Sequence, residues 1–331
     1  MGVVQIAYVH DWHWPMLEPL ERELAARGVR VQQAPLEQVL KTDAQIEPPS
    51  LIIVADAGAG HWLISALPHV PVLHVGHGLI SKNETERNYG AVDYICVASD
   101  WVVERLTQRG HTPRRRFFAT GLIQTDQLFA PKVEPIRVQG VQTSLLFAPT
   151  WNDSLGSTKM LGEGLVEKIR GSDNDIGIVI KPHPHTAKAH PDVIDMLGRV
   201  ARSSPNVTLL PADANVVPAM LGADLLVSDA SSAIFHFLAL DRPIVLIDNP
   251  ARFDHPYSFD PDGIEWQWRD IGRRVDDVDH LSDAIMAELA DKDARATVRQ
   301  SRRRQLFGDA MDGRATLRVA DAVQSILEGI D

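Results

Sequence analysis

The sequence predicts an α/β protein of two Rossmann-like, doubly wound domains. Three observations carry that prediction. Short apolar runs alternate with amphipathic stretches of helical period, small polar turns stand where the apolar runs end, and 331 residues give room for two cores of ordinary size. Hydrophobic residues make up 44% and charged residues 23% of the chain, the composition of a globular protein rather than a disordered one. With a formal charge of −11 there is no general attraction for nucleic acid or anionic lipid, so an anionic ligand must be held locally.

In the first half the apolar run 3–9 is a buried strand. Residues 15–27 form an amphipathic helix closed by Gly28, and 29–33 a second strand. Strand 51–54 leads through the small-residue turn ADAGAG into a helix over 61–67, then into strand 70–75 and the polar turn Gly76-His77-Gly78. Strand 94–98, helix 100–109 with Asp100 as its cap, and strand 117–120 complete the domain. The stretch PKVEPIRVQG at 131–140 has two prolines and no core pattern. It is the expected linker, dividing an acceptor-side domain at 1–135 from a donor domain at 141–331 whose last helix crosses back.

The second half repeats the alternation. Strand 144–147 ends in APTWND, bringing Thr150, Trp151 and Asn152 to a strand end. After helix 160–170, strand 176–180 ends in Lys181-Pro-His-Pro-His185, which two prolines should keep extended. Strand 207–210 and helix 215–221 precede the segment on which the reading turns, DLLVSDASSAIFHFLALDRPIVLID at 224–248. Here an apolar strand meets five small residues, a buried helix over 233–240, and a strand ending at Asp248. Small side chains let backbone approach a ligand, and the first N–H groups of a helix suit a phosphate, so Asp229, Ser231 and Ser232 are either donor-site residues or simply helix caps. Lys181 adds a fixed cation. His77, in the turn after strand 70–75, is placed to take a proton from an acceptor hydroxyl, and His183 and His185 stand together on the turn after strand 176–180. The loop at 249–270 is rich in Pro, Asp and aromatics and is a functional-loop candidate. Helices are expected over 281–289 and 319–327.

Metal chemistry finds little support in the sequence. His183 and His185 lack a third ligand at a recognisable spacing, and the Asp-x-Asp patterns at 173–175 and 260–262 fit solvated turns. No Walker loop, GxSxG elbow or GxGxxG occurs. Cys96 is the only cysteine, which fits a reducing cytoplasm. Residues 1–10 lack a basic leader, and no apolar run approaches a membrane span. The basic run 299–304 is expected on a solvated helix face, with peripheral contact at the inner face of a membrane as the alternative.

Four pieces of the second half, LLFAPTWND, KPHPH, ADLLVSDASSAIFHFLALDRPIVLI and FGDAMDGRATLRVADAV, together with GHG and ATGLIQTD in the first, resemble the CDP-glycerol glycerophosphotransferase family, the teichoic acid primases and polymerases. The resemblance implies a GT-B fold and a CDP-activated donor of glycerol phosphate or a related polyol phosphate. It implies an acceptor hydroxyl on a glycan or lipid-linked precursor, and no cofactor or obligatory metal. It assigns His77 as general base and His183 as the group stabilising phosphate or leaving group. Ser231 and Ser232 receive the donor phosphates, and Thr150, Trp151, Lys181, His185, Asp229 and Asp248 complete the donor side. LISKNE follows the HG turn where the family usually has Thr-Pro and a basic stretch. Another GT-B nucleotide-sugar enzyme, a capsule or lipid glycosyltransferase or a UDP-sugar 2-epimerase, and a non-catalytic nucleotide-binding protein are the alternatives.

Overall fold

A computed structural model describes residues 2–41, 48–76, 89–254 and 260–330. The described residues up to Ala130, with those from Arg304 onward, make one compact unit, and Pro131–Arg303 make the other.

The first unit is a six-stranded parallel sheet in the order β2-β1-β3-β4-β5-β6. Its strands are β1 (Val3–Tyr8), β2 (Arg30–Pro35), β3 (Leu51–Val54), β4 (Val72–His74), β5 (Tyr94–Val97) and β6 (Arg116–Ala119). Helices α1 (Trp14–Ala26), α2 (Leu36–Leu40), α3 (Ala59–Ala66), α4 (Asp100–Gln108) and α5 (Asp126–Phe129) connect or follow them. The central strands β3, β4 and β5 are buried at every position, as a parallel sheet covered on both faces requires. Helix α1 buries Leu17, Leu20 and Leu24, three residues spaced to share one face. Cys96 is buried in the same core, and burial pushes its thiol up to about 12, so it is chemically inert. Helix α4 has Ser99, not Asp100, at its N-cap, and Asp100 is its first helical residue.

The second unit holds another six-stranded parallel sheet in the order β12-β11-β10-β7-β8-β9. Its strands are β7 (Thr143–Phe147), β8 (Ile176–Ile180), β9 (Val207–Leu209), β10 (Leu225–Ser228), β11 (Ile244–Ile247) and β12 (Arg273–Val275). Around it lie α6 (Thr158–Leu161), α7 (Leu165–Arg170), α8 (Pro184–Ala189), α9 (Pro191–Ser203), α10 (Val217–Gly222), α11 (Ala233–Leu238), α12 (Ile264–Gln267) and α13 (Leu281–Ala290). The helix expected over 160–170 is divided between α6 and α7, because Gly162 takes φ +57°. Helix α9 was not anticipated, although Val193, Leu197 and Val200 form its buried stripe.

The stretch at 131–140 begins where the second unit begins and packs on it: Arg137 pairs with Asp224 at 2.8 Å and Val138 packs against Gly177, where a Cβ would lie 2.5 Å away. Two further expectations are corrected. The second proline of KPHPH does not keep the turn extended but opens α8, since a proline in the first turn gives up an N–H that has no helical partner there. The basic run is not a free face. On α14 (Ala296–Phe307), Arg299 is 2% exposed and pairs with Asp241, Arg302 pairs with Asp270 and stacks over Trp268, and Arg303 donates to the Ala239 carbonyl.

From Arg304 the chain belongs to the first unit again, and α15 (Ala315–Glu328) adds Val319, Ala320 and Val323 to the core built on Leu17, Leu20 and Leu24. Arg27 at the end of α1 donates to Asp321, Gln324 and the Leu317 carbonyl. Two N–H groups at the start of α15 are accepted by one carboxylate, Ala315 by Asp126 Oδ1 at 2.7 Å and Thr316 by Oδ2 at 2.8 Å. Nearby, Gly121 has φ +80° and would place a Cβ 3.0 Å from Ala310 and Ala315. Asp126→Ala is expected to lower stability by about 1–2 kcal/mol, measured by denaturant unfolding, because it removes the cap of α15.

Candidate functional site

In the second sheet the strand order reverses between β7 and β10. The turns that follow these two strands run to opposite faces and leave a crevice at the carboxyl edge, the position where open α/β sheets bind ligands. One turn is Ala148–Ser157 and the other Asp229–Ser232; Lys181 follows β8 on one side and Asp248 follows β11 on the other. Nine of the ten expected site residues therefore share one edge of one sheet: Thr150, Trp151, Lys181, His183, His185, Asp229, Ser231, Ser232 and Asp248.

The two turns are tied by a buried carboxylate. Asp229 is 0% exposed; its Oδ1 accepts from the Thr150 N–H at 2.8 Å, and its Oδ2 accepts from the Ser157 N–H and hydroxyl, each at 2.8 Å. The Ser228 hydroxyl donates to the Ala148 carbonyl at 2.6 Å, and Asn249 donates to the carbonyls of Asp153 and Gly156. Asn152 folds its own turn by accepting from Ser154 and Leu155. Gly156 sits so close to this turn that a Cβ would lie 2.7 Å from the Asn152 carbonyl. Loop 148–157 is thus fixed by side chains before any ligand arrives.

Asp248 has the same framing character. Arg269 donates to its Oδ1 and Arg274 to its Oδ2, while Arg269 also donates to the carbonyls of Asp229 and Ile247. Burial works against the Asp248 charge, but the two arginines prevail and hold it below the usual carboxylate range. Asp229 and Asp248, expected on the donor's surface, have both carboxylate oxygens occupied by these protein donors. Sequence reasoning missed Ser157, Asn249 and Arg269; the last two lie in the loop at 249–270, whose Pro- and aromatic-rich character was the available signal.

The other residues face the crevice differently. Lys181 is 5% exposed and donates to the carbonyls of Pro182 and Ala212 at 2.8 and 2.7 Å; burial pushes its amine down to about 8, with Asp213 opposing. His183 caps α8, its Nδ1 accepting from the His185 N–H at 3.2 Å, which leaves the ring proton on Nε2 as a donor. The His183 and His185 rings lie nearly parallel at 5.4 Å, and Trp151 stands 5.6 Å from His185. Next to this tier, Trp151, Asn152, Lys159, Thr186, His190 and Val193 line a hollow. Ser231 is buried, Ser232 half-buried, and the Ser231 hydroxyl accepts from the Ala233 N–H at 3.3 Å. Helix α11 behind them is only six residues long, so the donors there are individual N–H and hydroxyl groups more than a long helix dipole. His77 lies outside the described residues; Gly76 before it has φ +72° and a carbonyl that accepts from Gln124.

Both Asp-x-Asp patterns are turns closed on themselves, Asp173 accepting from the Asp175 N–H and Asp260 from the Asp262 N–H. Among the described residues no helix is long and apolar enough to cross a membrane.

The Lys181 environment sets a pH dependence. Its folded value lies below the unfolded 10.5, so between about pH 8 and 10.5 the unfolded chain binds the extra proton and this residue's contribution to stability rises with pH. Melting curves across that window should show a smaller rise for Lys181→Met than for the wild type.

Among curated proteins none matches the chain in sequence. Solved structures share the fold. The wall teichoic acid polymerase TagF, in a variant soaked with CDPG, is 12% identical over 99% of this chain and 89% of its own, with a TM-score of 0.67. MnaA of S. aureus, solved with UDP, is 14% identical over 99% and 97% with a TM-score of 0.70. The UDP-GlcNAc 2-epimerase of Neisseria meningitidis, bound to UDP-GlcNAc, is 11% identical over 98% and 100% with a TM-score of 0.62. Two parallel six-stranded sheets with flanking helices make this the GT-B fold. The sequence pattern of one family runs through 69–325, spanning all four turns of the β7/β10 edge, and the chain belongs to that family, CDP-Glycerol:Poly(glycerophosphate) glycerophosphotransferase.

Proposed function

We propose that this protein transfers glycerol phosphate from CDP-glycerol to a hydroxyl of a cell-surface glycan or lipid-linked precursor. The observation that carries the reading is the family match through 69–325, which takes in the crevice between β7 and β10 with its lysine, histidine and serine donors. In the reaction the acceptor oxygen forms a bond to the β-phosphorus. The bond from that phosphorus to the bridging oxygen breaks, CMP leaves with the electron pair, and the hydroxyl proton passes to a base.

The chain's residues divide these tasks. The hydroxyls and N–H groups of Ser231 and Ser232 receive the diphosphate, His183 Nε2–H donates to oxygen as charge builds toward CMP, and Lys181 supplies positive charge from beneath. His77 is the base. Thr150, Trp151 and His185 hold the nucleotide, with the Trp151 and His185 rings as its flat contacts. Asp229 and Asp248 do not touch the donor in this scheme; they keep the two turns in register. The UDP-bound relatives share only the fold, and none of these donor groups is specific for their sugar chemistry.

Two measurements test the reading. CDP-glycerol at about 100 times its Kd should stabilise the protein by about 2.7 kcal/mol, whereas UDP-GlcNAc at the same concentration should not; the reverse order would overturn the donor assignment. His183→Ala and His77→Ala should each lower kcat by about 100-fold without loss of fold. The Ser231→Ala/Ser232→Ala pair should act mainly on donor KM, because the N–H groups remain.

A further inference from the structure

The hollow beside Trp151 is lined by polar groups that the transfer scheme leaves idle. It lies within the second unit, with the turn after β7 and the start of α6 on one side and α8 and α9 on the other, and holds about 260 Å³ including its mouth. That is just under the roughly 300–1,000 Å³ of sites that take a drug-sized molecule, so it suits part of a nucleotide and not a whole one. Only one residue separates it from the donor tier on each side, since Asn152 follows Trp151 and Thr186 follows His185.

Three polar side chains of the lining are more than nine-tenths buried, Asn152 at 7% exposure, Thr158 at 8% and Thr186 at 6%. The Asn152 Oδ1 accepts from the N–H groups of Ser154 and Leu155 at 2.9 and 3.2 Å, which assigns the oxygen and turns the amide NH2 away from the backbone of its own loop. Among the described residues neither that NH2 group nor the hydroxyls of Thr158 and Thr186 have a hydrogen-bond partner. Burial of such groups is costly unless a ligand or solvent in the hollow pairs with them. The charges of the lining, by contrast, are matched: Asp153 pairs through Oδ2 with Lys159 and through Oδ1 with His190 Nε2 at 3.4 Å. A phosphate is better served by Lys181 and the Ser231/Ser232 donors. One amide donor and two hydroxyls that can each give and accept fit a pair of neighbouring neutral hydroxyls, with Val193 against the carbons that bear them.

We propose that this hollow seats a vicinal diol of the activated donor, held by Asn152, Thr158 and Thr186. The inference rests on the donor reading above and adds a determinant of which donor is accepted. CDP-glycerol carries two such pairs, the 2′- and 3′-hydroxyls of its ribose and the two free hydroxyls of its glyceryl end. The three residues bind the diol and take no part in proton or phosphoryl transfer.

The test is titration calorimetry on the full chain with CDP-glycerol, CDP and 2′-deoxy-CDP. Thr158→Val and Thr186→Val keep the bulk of each side chain and remove its hydroxyl, and each should weaken CDP-glycerol by about fivefold, whereas Thr186→Ser should bind as the wild type does. Should a valine variant fail to fold, the alanine variant at that position takes its place. The probes separate the two diols. If CDP loses as much as CDP-glycerol in the valine variants and 2′-deoxy-CDP loses nothing, the ribose is seated; if CDP binds variant and wild type alike, the glyceryl end is. Unchanged CDP-glycerol binding in both valine variants, equal loss of CDP and 2′-deoxy-CDP, or a Thr186→Ser as damaging as Thr186→Val would each overturn the inference and leave the donor reading standing. A wild type that binds neither CDP nor CDP-glycerol would refute both.

Discussion

A single buried carboxylate organises the candidate donor site. Asp229 stands at the end of β10 with no exposure, and accepts two backbone N–H groups and one hydroxyl from the loop that leaves β7. Strand order alone would let these two turns diverge, because their chains run to opposite faces of the sheet. Hydrogen bonds to an ionised acceptor in a dry environment are among the stronger ones available, and they act at the crevice where a ligand would enter.

The consequence is a site divided into frame and surface. Asp229, Asp248, Asn249 and Arg269 spend their polar groups on one another and on backbone carbonyls, forming a continuous net behind the turns. Trp151, His183, His185 and Ser232 stand in front of it, partly exposed. His183 shows how the two layers meet: its Nδ1 is held by the first N–H of a proline-opened helix, so the tautomer is set by local backbone rather than by a second carboxylate. Phosphoryl transfer asks chiefly for fixed donors around a developing charge, and a rigid frame supplies them without reorganisation.

Much of this was legible in the chain. Apolar runs such as Leu51–Val54 and Leu225–Ser228 gave both sheets, because strands buried on both faces need continuous hydrophobicity. Small polar residues at their ends located the edge. What stayed hidden was set by side-chain geometry or by distance along the chain. A proline can stop a helix or start one, and only its place in the first turn decided the KPHPH segment. Whether an aspartate such as Asp229 or Asp248 faces a ligand or a buried N–H leaves no trace in composition. The arginines of α14 looked like a solvated run because their partners, Asp241, Asp270 and the Ala239 carbonyl, lie 30 to 65 positions earlier.

The return of α15 to the first unit bears on how the protein is made. Val319, Ala320 and Val323 belong to the same core as Val4 and Leu17, so roughly three hundred positions of chain separate neighbours in one hydrophobic cluster. Emerging from the ribosome, the opening unit must wait with an apolar face uncovered until α15 has been synthesised, whereas Pro131–Arg303 has every strand and helix it needs beforehand. The portion synthesised second can therefore mature first, and chaperone dependence should fall on the portion synthesised earliest.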